Sequence, residues 1–172
     1  MKKFFLLATT IYLLGFVTAL VTSNYFLTIK TNSLSFDYTA STCKSSADLF
    51  DEILLNNSQV YLACIAGFLT FGIYTALSTF YNGFVVGYLV VTLYRFFGNH
   101  SIILERLLPH SIEIVGIIIS STLGFYLAHF VAQQLFFHSN LKFEYNKVCI
   151  LFIVGYLIIL TSAFIESYVS AS

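Results

Sequence analysis

Four stretches of the chain carry no Asp, Glu, Lys or Arg: Phe4–Ile29, Ile53–Tyr94, Ile114–Leu141 and Val148–Ile165. About 20 apolar residues cross the hydrocarbon core of a bilayer as a helix, so the second stretch holds two crossings and the pattern predicts five. The expected spans are residues 4–23, 60–80, 83–97, 111–136 and 148–165. Only Tyr81-Asn82 separates the second from the third, and Gly83 follows. Asn-Gly is a turn signal, so Asn82 is read as the turn of a tight helical hairpin. Residues 24–57 form the one sizeable loop, irregular in its first part. Within it, residues 48–55 place Leu49, Phe50, Ile53 and Leu54 at helical spacing, with Asp48, Asp51 and Glu52 elsewhere. That pattern predicts a short amphipathic helix lying on the membrane surface, with packing on the other spans as the alternative. Lys2-Lys3 ahead of an apolar run also fits a signal peptide. Phe4–Val21, however, is longer than the usual apolar region of about 7–15 residues, and no A-x-A follows, so an uncleaved first span is expected. The fold class is an all-α integral membrane protein, a bundle of about five transmembrane helices forming one domain over residues 1–172.

Composition agrees with this and narrows the function. The chain is 58% hydrophobic and 9% charged, with mean hydropathy +0.86, where a soluble domain carries about 25% charged residues. Formal net charge is zero and no basic cluster appears, so nucleic acid is not an expected partner. Cys43, Cys64 and Cys149 are too scattered for a disulfide framework or a zinc motif. There is no G-x-x-x-x-G-K-[ST] motif for nucleotide, and no Ser/His/Asp or Cys/His constellation is apparent. Energy for any transport must come from another chain. No cofactor is expected.

Two further patterns concern packing and polarity. Gly83 and Gly87 form a GxxxG, and Gly116, Ser120, Gly124, Ala128 and Ala132 recur at every fourth residue of the fourth span. Small residues let helix backbones approach closely, which makes span four the expected centre of the bundle. Pro109 is read as opening that span, because a missing N–H costs nothing in a first turn. His110 and Glu113 follow it, three residues apart and so on one helix face. Chain parity brings the starts of spans two and four and the end of span five to one membrane side. Asn56, Asn57, His110, Glu113 and Glu166 therefore share one face, while Asn82 falls on the other. Ionisable groups at a membrane normally face protein, water or a partner. The His110–Glu113 pair has three readings: helix-terminus chemistry, a polar cluster touching a partner or substrate, or a metal or catalytic site that adds Glu166. Metal is disfavoured because His129 and His138 lie towards the other side, leaving only His100 to join. Lys2 and Lys3 lead the first helix, so the N-terminus is placed in the cytoplasm of a bacterial cell and the cluster outside.

Asn56-Asn57, Gly72-Ile73, Asn82-Gly83-x-x-x-Gly87, Leu108-Pro109-His110-x-x-Glu113, Leu123-Gly124 and Ala163-Phe164-Ile165-Glu166 occur in that order. With this set, residues 50–169 resemble the stage II sporulation protein M family, small polytopic bacterial membrane proteins. The chain departs from the family in having Ser111 where Gly often follows Pro-His, and in lacking a Thr-Pro after Glu166. The resemblance implies a membrane partner protein. Sporulation members act as scaffolds for cell-wall hydrolases. Shorter relatives accompany bacteriocins, notably circular ones, in maturation, secretion or immunity, often beside an ATP-driven exporter. The chain's shortness favours the second group, with an exporter subunit, an apolar peptide or a second copy as partners. An intramembrane enzyme using His110 and Glu113 is the alternative of a different class.

Overall fold

A computed structural model describes residues 1–30, 46–97, 100–138 and 142–171. Those residues form five helices: α1 (Lys2–Lys30), α2 (Ser46–Ala66), α3 (Ile73–Phe97), α4 (His100–Phe137) and α5 (Tyr145–Ala171). No strand occurs among them. All five contain a segment long and apolar enough to cross a membrane: Lys2–Ser23, Leu49–Thr70, Ile73–Arg95, His110–Phe137 and Tyr145–Tyr168. Helices are what these sequences must form in lipid, where each backbone N–H and C=O has to be satisfied within the segment. Side-chain hydroxyls obey the same rule. Thr9, Thr10, Thr18 and Thr22 on α1 each donate to the carbonyl four residues back.

The hairpin between α2 and α3 lies elsewhere than the Asn-Gly signal predicts. The chain turns at Gly67–Gly72, through a 3₁₀ turn (Gly67–Thr70) and then Phe71 and Gly72, both in the left-handed region at φ 52° and 88°. The Thr70 hydroxyl accepts from the Tyr74 N–H and caps the start of α3. Asn82 is not a turn residue: α3 runs unbroken through Asn82-Gly83, and the Asn82 amide donates to the Ser78 carbonyl at 2.8 Å. What looked like turn chemistry is packing chemistry. A Cβ on Gly83 would meet the Tyr12 carbonyl, one on Gly87 the Phe16 carbonyl, and one on Gly15 the Phe80 carbonyl. The register advances in the same sense on both helices, so α1 and α3 run parallel with their backbones in contact.

Two other expectations change. Residues 48–55 do not form a separate surface helix; they are the first turns of α2, continuous with the crossing. Pro109 does not open its helix either, because α4 begins nine residues earlier at His100. It lies inside a continuous helix, where it has no N–H to donate. The irregular part of the loop, 31–45 with Cys43, falls outside the described residues.

α4 is the central helix: 56% of its span is buried in the bundle, against 17–28% for the other four. Its small residues are consumed by contacts within the chain. Gly116 packs on Ile159 of α5, and Gly124 on the Cys64 carbonyl and Thr75. Ser120 and Ala128 are buried. Short hydrogen bonds lock this interior. Thr75 donates to the Cys64 carbonyl (2.9 Å), Thr79 to Ser121 (2.7 Å), and Tyr61 to the Phe152 carbonyl (2.8 Å). Outward faces are apolar, as with Leu6, Leu13, Leu62, Leu77, Ile153 and Leu157.

Candidate functional site

Chain direction fixes which ends meet. α2 and α4 start, and α5 finishes, at the bundle end away from Met1. A cavity of about 470 Å³ opens there. Its lining includes Glu52, Asn56 and Asn57 from α2, Asn82 from α3, His110 and Glu113 from α4, and Glu166 from α5, with Val85, Leu89 and Ile117 among its apolar walls. All five residues of the expected polar cluster therefore border one space. Asn82 joins them instead of lying across the membrane. It sits nine residues into α3, about 14 Å along the helix and so near mid-depth of a core about 30 Å thick. Glu52 is the other addition. Its carboxylate was read only as part of a polar helix face.

His110 stands between two carboxylates. Its Nδ1 is 3.3 Å from Glu113 Oε2 and its Nε2 is 3.9 Å from Glu166 Oε1. The first contact follows from the i, i+3 spacing within α4. The second depends on the antiparallel packing of α4 on α5, held by Gly116 against Ile159. All three side chains are half-buried, at 27%, 15% and 20% exposure, so they face the cavity and not bulk lipid. An imidazolium carries a donor for each carboxylate, whereas the neutral ring carries one.

Asn57 and Tyr12 complete the surroundings. Asn57 is 4% exposed; its Oδ1 accepts from Asn56 Nδ2 at 3.4 Å, and its Nδ2 has no partner among the described residues. The Tyr12 hydroxyl on α1 is likewise buried with no partner among the described residues, within reach of the Glu113 field. Nothing in the α1 sequence pattern singles out Tyr12, because its role comes from the glycine-mediated contact of α1 with α3. His129 is remote, stacked near Phe4 beside Lys3, and His138 is exposed just past the end of α4. The His100 side chain is outside the described set.

Fold and site define a multi-pass α-helical membrane protein with an ionisable pocket at one end of its bundle. The sequence model for stage II sporulation protein M matches residues 4–171, and the chain belongs to that family. It is also similar to an uncharacterized protein of the archaeon Methanocaldococcus jannaschii, 28% identical over 174 residues that cover 99% of this chain and 95% of the relative. No solved structure matches.

Proposed function

We propose that the chain is a membrane partner protein whose pocket receives a polar or basic group carried by an apolar peptide. The setting is maturation, secretion or immunity of a bacteriocin, beside an ATP-driven exporter. The observation that carries this reading is the pocket itself: Glu52, Glu113 and Glu166 line it, and no Lys or Arg is among the described lining residues. A cavity of that sign at a bundle end suits a peptide that is apolar along its length and cationic at one point. The absence of a nucleotide-binding motif from the sequence fits a partner that draws on another chain for energy. Lys2 and Lys3, at the opposite end from the pocket, support an outward-facing pocket.

The test uses bacterial cells carrying a circular-bacteriocin gene set with this chain as its membrane partner. Deletion should abolish self-resistance or release of active peptide. Wild type should restore it, and the Glu113→Gln/Glu166→Gln double variant should restore at least ten-fold less, at about 1.4 kcal/mol per ten-fold. A photo-crosslinking residue at Val85 should capture the peptide, and one at lipid-facing Leu62 should not. Full restoration by the double variant, or equal capture at both positions, would contradict the reading. The contact of His110 with Glu113 favours a second one, an intramembrane enzyme acting on the precursor. That alternative predicts uncleaved or uncyclised precursor in the Glu113→Gln strain, and normal processing there rules it out.

A further inference from the structure

The geometry points to a divalent transition-metal site formed by His110 and Glu113 of α4 with Glu166 of α5, bridging the two helices in the wall of the pocket. One ligand atom from each residue lies within 4.8 Å of the other two. Three ligands bound at about 2.0–2.2 Å lie about 3.3–3.8 Å apart in tetrahedral or trigonal geometry, so about 1 Å of side-chain movement closes the set. One imidazole and two carboxylates form a mixed nitrogen and oxygen set suited to Zn²⁺, Mn²⁺ or Fe²⁺, and unlike the all-oxygen shells of Ca²⁺ and Mg²⁺.

Charge argues the same way. Two carboxylates and a protonated histidine leave the trio at −1 beside apolar walls formed by Ile114 and Ile117. Two carboxylates, a neutral imidazole and a divalent cation sum to zero, the state that costs least in a low-dielectric surround.

The buried Asn57 amide is the independent observation. Asn57 lines the same cavity, and its Nδ2 is shut off from solvent with no acceptor among the described residues. A buried donor left unpaired is costly, and an occupant of the cavity can supply its partner. Three protein ligands leave coordination positions open, and a water or ligand oxygen held there supplies that acceptor. The site does not depend on the peptide reading: a metal held by Glu113 and Glu166 competes with a peptide's basic group for the same carboxylates.

The test uses the full chain in detergent, stripped with chelator and dialysed against Zn²⁺ or Mn²⁺ alone, with bound metal measured by mass spectrometry. Wild type should retain about one metal per chain, and so should His129→Ala and His138→Ala, which alter histidines away from the pocket. Each of His110→Ala, Glu113→Gln and Glu166→Gln should weaken binding at least as much as the about 10–100-fold cost of losing a supporting contact, and Asn57→Ala should fall within that range. Less than about a tenth of an equivalent on wild type, or unchanged stoichiometry and affinity in the ligand variants, would overturn the site. Where a variant fails to elute as a folded species, metal-edge X-ray absorption on the wild-type complex decides instead. One imidazole with oxygen neighbours supports the site. No imidazole, or thiolate from exposed Cys149, refutes it.

Discussion

Tyr61 shows how single residues are fixed in this bundle. It is fully buried on α2, donates to the Phe152 carbonyl and stacks edge-on against Phe152 and Tyr156. Interhelical hydrogen bonds in lipid are worth about 0.6–1.7 kcal/mol, so Tyr61→Phe should lose about that much stability in detergent unfolding. Gly72 is constrained differently. At φ 88° a side chain is strained, and a Cβ would also press on Phe125. Gly72→Ala should cost about 1–2 kcal/mol or more in the same assay. At this scale the sequence was partly legible. His110 and Glu113 announce themselves by helical spacing, and Glu166 reaches them by chain parity alone. Asn82 was misread because Asn-Gly carries one meaning in water and another in lipid. Inside a membrane the amide bonds its own helix at Ser78, and the glycine makes room for a neighbouring backbone. Tyr12 was not legible at all, since its place depends on a contact between helices remote in sequence.

At the scale of elements, glycine contacts set the assembly. α1 and α3 touch backbone to backbone through Gly15, Gly83 and Gly87, and α4 touches α2 and α3 at Gly124. Neither contact can yield as a flexible side chain would. Gly83→Leu and Gly124→Leu should each cost at least the about 1–3 kcal/mol typical of overpacking, seen as a lowered Tm. Leu62→Ala on the lipid-facing side of α2 should stay within about 0.5 kcal/mol of wild type. The number of crossings was readable from the lengths of the charge-free runs. The hairpin position was also present in those lengths: the middle of the Ile53–Tyr94 run falls beside Gly72-Ile73, the true turn. A local turn signal outweighed that global one, and the result displaced both spans. The run 48–55 shows the same trade. Its amphipathic pattern is real, but its polar side faces the pocket through Glu52, and no surface helix forms.

On the scale of the whole molecule, the chain is a bundle with two unlike ends. The Met1 end carries Lys3, His129, Lys142 and Glu144 around a smaller cavity, and the far end gathers three carboxylates, asparagines and His110 with no Lys or Arg among the described lining residues. In a cysteine-free background, Phe71→Cys and Glu52→Cys should react with an impermeant maleimide from opposite sides of a sealed membrane. The central claim is that polar groups from four helices converge on one pocket, with Asn82 of α3 among them. Spin labels at Asn82→Cys and Glu166→Cys test it most directly. The convergence predicts a separation clearly short of the about 30 Å hydrocarbon thickness, near half of it, whereas a separation near that full thickness would return Asn82 to a turn on the opposite face and contradict the account.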